Sequence, residues 1–340
     1  MNITLDEILA SEWEGEKYDS FLPNEISHLT EVRAAQTLRY LEFCRKQGFK
    51  RDTSSSLRGQ VISLDGSPRR TAFELNAQRA GVNFSYFNAV NGFSDALDVF
   101  DLDVWGLEKM PTHWEGNRGH MACTLSHLSL YKQIFDSGLK DDWYLVLEDD
   151  CYFHPYFSEA LNLVLEKANS HAQDIDVICL SNRASHWLSK SENFSDKLTS
   201  MDFVFLDDLT EEVTLARRLG YAKNYSPKQT RVFGTEAILF SANAMKKLKA
   251  LAEAFGGKVL GEYLGAGPFG IEAILQHHLG RSPSKSAFDT PPQLIEGGFV
   301  SEGKPYMNSC ILTLPLTTTR DWLGEQYFSE TRRKRVNQKR

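Results

Sequence analysis

The 340-residue sequence holds no apolar run approaching the ~20 residues needed to span a bilayer. Its first residues, MNITLDEILASEWEGE, are acidic and lack the basic stretch and apolar core of a secretory leader. Cysteine is scarce: Cys44, Cys123, Cys151, Cys179 and Cys310 lie far apart, with no Cys-x-x-Cys pair. An odd count in a long chain indicates neither a disulfide framework nor a zinc site, and fits reduced thiols in a cytosol. No complete G-x-x-x-x-G-K-[Ser/Thr] loop is present, which argues against a P-loop ATPase. No glycine-rich fingerprint follows the first strand, which argues against an ordinary nicotinamide enzyme. His277 and His278 are adjacent rather than four apart, so they do not form a zinc-protease motif. There is no internal repeat. The formal net charge of −7 excludes a body built to bind nucleic acid. Six of the last nine residues, Arg332 to Arg340, are nevertheless Lys or Arg. Such a tail can touch an anionic membrane surface or serve as a disordered solubilising end.

What is present is an ordinary globular composition, 41% hydrophobic and 24% charged, patterned as strands and helices in alternation. Residues 1–57 read as a helical extension in which Ala34, Ala35, Leu38 and Leu41 form a short apolar stripe. Asn24 or Ser27 stands ready to cap it. The main domain, 58–315, begins with the short buried strand Val61–Leu64 and the loop Asp65–Arg70, in which Pro68 opens a helix ending at Gly81. The strand NFSYFNAV follows and ends at Asn91-Gly92. Strand, helix and strand with short connections predict a mostly parallel α/β sheet. Arg69 and Arg70 stand near the end of the first strand, where a diphosphate could be met; a solvated helix start is the plainer reading. Residues 93–118 read as a long surface loop. The run GHMACTLSHLSLYKQIFDSG predicts a largely buried helix carrying Ser126 and His127. Phe157–Ala168 is an amphipathic helix, Asp176–Asn182 a core strand and 183–231 a polar insertion. Val232–Ser241 is a long strand, followed by a helix over 242–255. Residues 316–340 are assigned to the basic tail.

The chain is organised around YLVLEDD, Tyr144 to Asp150. An apolar strand runs directly into Glu148, Asp149 and Asp150, and three adjacent unpaired carboxylates are too costly to bury. They are expected at the strand's carboxyl end, where open α/β sheets bind ligands. Glu148 and Asp150 are two apart, so an extended backbone would aim both the same way. Hard oxygen ligands at a cleft suit Mn²⁺ or Mg²⁺ shared with a phosphate. The competing reading is a solvated acidic turn. A phosphohydrolase with an aspartate nucleophile is disfavoured, because the triplet opens with Glu148 and lies mid-chain.

In order, these segments resemble glycosyltransferase family 25. The resemblance is carried by VISL with its following Arg pair, AVNG at Ala89–Gly92, and the G-x-x-x-C-x-x-S-H run from Gly119 to His127. It continues through LEDD at Leu147–Asp150, DVICLSNR at Asp176–Arg183, and Gly234-Thr235 with Ala237 before the Lys246-Lys247-Leu248 helix. It departs from the family pattern at His120, where Glu is usual, and at Ile238, where Tyr is usual. The resemblance implies a GT-A-like nucleotide-sugar-binding fold. It also implies an inverting, metal-assisted transfer of a hexose, galactose favoured, from a UDP-sugar to a glycan such as a lipopolysaccharide outer-core sugar. Asp150 is then the expected ligand of Mn²⁺ (or Mg²⁺), with Glu148 or Asp149 binding metal-bound water or the ribose. Arg69 and Arg70 would meet the diphosphate, and Ser63-Leu64 with the Ala89–Asn91–Gly92 turn would hold the uridine. Ser126 and His127 would orient the acidic strand end. Glu272 is the base by motif position, with Glu236 and Asp149 next. The expected setting is the cytoplasm, with peripheral contact at the inner membrane face through the basic tail. Alternatives are a protein acceptor, or a degenerate relative that binds a glycan or partner through its helical extension.

Overall fold

The computed structural model describes residues 28–50, 54–92, 118–181, 198–205, 235–254 and 307–319. The chain enters through helix α1 (His28–Gln47) and then builds the first parallel unit. This comprises β1 (Arg58–Ser63), α2 (Arg69–Arg79) and β2 (Asn83–Asn88). Pro68 sits at the N-cap of α2, and Gly81 just past its end takes φ 69°, the left-handed turn that frees the chain to enter β2. Next come α3 (Arg118–Asp136), β3 (Trp143–Glu148), the short strand β4 (Cys151–Phe153) and α4 (Phe157–Asn169). The remainder is β5 (Val177–Cys179), β6 (Phe203–Phe205), β7 (Ala237–Ser241), α5 (Ala242–Ala254), β8 (Ser309–Leu312) and β9 (Thr317–Thr319).

Seven strands form one sheet in the order β2-β1-β3-β7-β5-β8-β6. Strands β1, β2 and β3 are parallel neighbours, β7 is antiparallel to both β3 and β5, β8 is parallel to β5, and β6 is antiparallel to β8. Five of the seven strands therefore point one way, giving the mostly parallel α/β sheet expected from the alternation of elements. Leu145, Val146 and Leu147 are all fully buried, because helices cover both faces of β3. A second, two-stranded sheet pairs β4 antiparallel with β9. β9 lies within the stretch assigned to the basic tail, and its pairing ties the start of that stretch to the fold.

The helical extension shares the main core. Tyr40, Leu41 and Cys44 of α1 belong to the same apolar cluster as Phe73, Phe153 and Phe157, and the Tyr40 hydroxyl donates to the Pro155 carbonyl at 2.9 Å. Phe153 packs edge-on against Phe157 (4.7 Å) and Phe73 (5.6 Å), and burying each such ring contributes about 1.5–3 kcal/mol. The Asn76 side chain brackets the Phe153 backbone, accepting from its N–H at 2.7 Å and donating to its carbonyl at 3.2 Å. That amide substitutes for a neighbouring strand on the side of β4 away from β9. Among the described residues no helix is long and apolar enough to cross a membrane.

Of the strand expected over Val232–Ser241, Ala237–Ser241 forms β7, Thr235 and Glu236 precede it as a bend, and 232–234 lie outside the described residues; β4, β6, β8 and β9 are not anticipated from sequence. The 93–117 loop, most of the 183–231 insertion, Arg183, Glu272, His277, His278 and the basic residues beyond 319 lie outside the described residues.

Candidate functional site

Because β2, β1 and β3 are adjacent and parallel, their carboxyl ends open on one edge of the sheet. Antiparallel β7 adds its amino end there, with the Glu148 N–H donating to the Glu236 carbonyl at 2.9 Å. Four segments far apart in sequence thus meet: Ser63-Leu64, Asn88–Gly92, Glu148–Asp150 and Thr235-Glu236.

β3 ends at Glu148, and Asp149 and Asp150 form the turn into β4. The strand's alternation stops there, so Glu148 and Asp150 take different partners instead of pointing the same way. Asp149 turns toward α2 and β1. Its Oδ1 lies 2.6 Å from Arg69 Nη2, and its Oδ2 accepts from the Ser63 hydroxyl at 2.8 Å. The side chain is essentially buried, and the fixed guanidinium and hydroxyl together offset the cost of burying its charge. Asp150 faces the same arginine at a longer range, Oδ2 to Nη1 3.8 Å, which is ion-pair range but beyond hydrogen-bond distance.

Arg70 ties the ends of β1 and β2 together. Its Nε donates to Ser63 Oγ at 3.0 Å, its Nη2 reaches the Ser63 carbonyl at 3.4 Å and Asn88 Oδ1 at 3.5 Å, and its guanidinium lies 4.2 Å from the centroid of the Tyr86 ring. It also forms a 3.5 Å ion pair with exposed Asp65. Ser63 Oγ is therefore shared between Arg70 and Asp149. The Ala89 N–H donates to the Ser63 carbonyl at 2.9 Å, which fixes where the 89–92 turn leaves β2. Leu64 accepts from the Ser67 N–H at 3.1 Å, shaping the loop that presents both arginines.

Helix α3 supports the edge from the other side. Ser126 Oγ donates to the Ala122 carbonyl at 2.6 Å and accepts from the Val90 N–H at 2.8 Å, so one hydroxyl pins the turn to the helix. The next residue, fully buried His127, places Nε2 3.0 Å from Glu148 Oε1 and Nδ1 3.0 Å from the Tyr131 hydroxyl. A carboxylate only accepts, so Nε2 carries the hydrogen toward Glu148, and Nδ1 meets the Tyr131 hydroxyl. Burial pushes the Tyr131 hydroxyl well above its ordinary range, and nearby Glu148 adds to this, keeping it a donor. The Thr235 hydroxyl also donates to Glu148 Oε1. Burial by itself would raise the Glu148 carboxyl, but the His127 hydrogen bond and charge, then Thr235 and Arg69, outweigh it and hold the group down at about 2.

The structure thus brings Ser63, Leu64, Arg69, Arg70, Ala89, Asn91, Gly92, Ser126, His127, Glu148, Asp149 and Asp150 to one sheet edge, while Glu272 lies outside the described residues. Sequence reasoning missed Thr235 and Tyr131 as contributors. Tyr131 was legible as the i+4 neighbour of His127 on one helix face, but nothing local said that β3 would lie against that face.

The hard-cation expectation can be weighed on these contacts. Asp149 has both oxygens engaged and is a fixed anion for Arg69. Asp150, with its longer ion pair, and Glu148, whose two hydrogen bonds both go to Oε1, present carboxylate oxygens of the type Mn²⁺ or Mg²⁺ takes.

A family model described as glycosyltransferase family 25 (LPS biosynthesis protein) matches residues 58–259. Procollagen galactosyltransferase 1 of Danio rerio is 24% identical over 171 residues, which is 48% of this chain and 27% of that protein. Procollagen galactosyltransferase 2 of Mus musculus is 30% identical over 101 residues, 28% of this chain and 16% of that protein. A glycosyltransferase 25 family member of Drosophila melanogaster is 30% identical over 118 residues, 33% of this chain and 19% of that protein. The matched stretch spans about a quarter or less of the length of these relatives.

Proposed function

The chain belongs to glycosyltransferase family 25, and from that premise we propose that it transfers a hexose from a UDP-sugar to an acceptor hydroxyl. Galactose is the favoured sugar because the named relatives are galactosyltransferases. The carrying observation is the shared edge, where the ends of three parallel strands bring two arginines and the Glu148 and Asp150 carboxylates beside a pinned backbone turn. That arrangement suits a nucleoside diphosphate, whose charge needs cationic partners and whose base needs a rigid wall.

In this reading the 89–92 turn and the Ser63-Leu64 strand end hold the uridine, and Arg69 and Arg70 face the diphosphate. Asp149 holds Arg69 in place and does not act as the base, since its oxygens are committed and buried. Asp150, with Glu148 beside it, would hold a divalent cation, which when bound supplies charge neutralisation to the departing diphosphate. His127, Thr235 and Tyr131 keep Glu148 anionic and oriented. Inversion calls for a base on the acceptor side to take the hydroxyl proton; Glu272 is that candidate by motif position, with Glu236, buried at the sheet edge, next. The proposed acceptor is a glycan hydroxyl such as a lipopolysaccharide outer-core sugar, in keeping with the family description. The collagen-named relatives favour a protein hydroxyl as the second reading.

Thermal unfolding with and without UDP and Mn²⁺ tests the donor site. UDP with Mn²⁺ should raise Tm, and Asp150→Asn should remove the rise. The absence of a shift with any of a panel of UDP-, GDP- and CMP-sugars would leave a binding module as the better description.

A further inference from the structure

We propose that Cys123, His127 and Glu148 form a binding site for a single thiophilic divalent cation of the zinc class. This site draws on Glu148 and leaves Asp150 to any hard cation, and it does not depend on the donor reading. Its ligands come from two elements, with no Cys-x-x-Cys or His-x-x-x-His spacing to announce it. In the fold the three residues converge. Cys123 and His127 stand at i and i+4 on one face of α3, and the end of β3 brings Glu148 opposite them. A sulfur, a ring nitrogen and a carboxylate oxygen all lie within 4.8 Å of one another. Ligand atoms around a tetrahedral zinc at bond lengths of roughly 2.0–2.3 Å stand about 3.5 Å apart, so adjustments of about 1 Å close the set.

The surroundings support a site rather than a chance meeting. His127 has its far nitrogen held by the Tyr131 hydroxyl, the outer-sphere contact that aims a ligating imidazole. Tyr131 is itself fixed by its ring packing on Phe240, centroid to centroid 4.9 Å. The Thr235 hydroxyl steadies the Glu148 carboxylate by donating to the same Oε1. The other thiols contrast with Cys123: Cys44, Cys151, Cys179 and Cys310 are buried, whereas Cys123 is half-buried and gives an ion a way in. Three protein ligands leave a fourth position open, as in zinc sites that bind water or substrate. A thiolate in the set selects against Mg²⁺ and Mn²⁺, whose preference is for oxygen. On binding, the ring hydrogen moves from Nε2 to Nδ1, where the Tyr131 hydroxyl accepts it, and the Cys123 thiol proton is released to solvent.

The test uses the full chain, stripped with a chelator and titrated with Co²⁺. One equivalent should develop the intense near-ultraviolet band of a thiolate bound to cobalt, and Zn²⁺ should bleach it. Cys123→Ser should abolish the band and Asp150→Asn should leave it unchanged. Tyr131→Phe should weaken Co²⁺ binding by about tenfold or more, since it removes the outer-sphere hydrogen bond and keeps the ring. No band in the wild-type protein, or one that survives Cys123→Ser, overturns the proposal. A second measurement needs no variant. Zn²⁺ at ten times its Kd should slow iodoacetamide labelling of Cys123 by about tenfold, located by peptide mass, and an unchanged rate overturns the site. The UDP and Mn²⁺ thermal shift reads the donor reading separately, because it follows Asp150 and not Cys123.

Discussion

Glu148 and Asp149 leave the same strand end in opposite directions, and substituting them should have different consequences. Asp149 is paired with Arg69 in a nearly dry setting, so Asp149→Asn leaves that guanidinium to its longer pair with Asp150 and should cost about 1–3 kcal/mol in denaturant unfolding. Glu148 makes a pH-dependent contribution. Its folded carboxyl sits at about 2, below its ordinary 4.5, so the stabilisation is fully present above about 4.5 and is lost as pH falls toward 2. Wild-type Tm should therefore fall more steeply than that of Glu148→Gln across that window; parallel curves would refute the assignment. Gly59 answers a packing demand. A Cβ there would meet Leu147 Cδ1 at 2.7 Å, so Gly59→Ala must displace the fully buried Leu147 and should cost about 1–3 kcal/mol.

At the scale of elements, α3 acts as a buttress. Its consecutive residues Ser126 and His127 reach two different strand ends, the first through the Val90 N–H and the second through Glu148. Ser126→Ala releases the 89–92 turn without touching any acid. It should raise the KM for the UDP-sugar several-fold while kcat changes less, and an equal fall in kcat with KM unchanged would contradict this positioning role. Asn76→Ala should cost about 1–3 kcal/mol by leaving the Phe153 N–H without its partner. The elements legible in the sequence were α1 to α5, read from helical periodicity, and β1, β2, β3, β5 and β7, read from apolar runs. β4, β6 and β9 have three residues each, too few to display alternation, and they exist because a distant partner supplies their hydrogen bonds. The same holds for the candidate site. The acids, the Arg pair and the Ser-His dipeptide were legible as residue types, whereas Thr235 and Tyr131 acquire meaning only once β3 pairs with β7 and brings Glu148 to His127.

For the molecule as a whole, the family match and the folded unit do not coincide. The match stops at residue 259, yet β8 lies between β5 and β6 in the main sheet, and β9 pairs with the strand that follows the acids. α1, also outside the match, contributes Tyr40, Leu41 and Cys44 to the core. A fragment of residues 58–259 should accordingly lack a cooperative thermal transition, whereas the full chain shows one by circular dichroism.

The position of β8 also matters while the protein is being made. Cys179 of β5 leaves the ribosome long before Ile311, the residue it pairs with, has been added. At roughly 5–20 residues per second that gap lasts on the order of ten seconds. Throughout it the nascent chain carries an open, apolar strand edge able to recruit a neighbouring polypeptide. Synthesis in a crowded cell should therefore depend on chaperone cover, and slowing translation should lower the soluble yield.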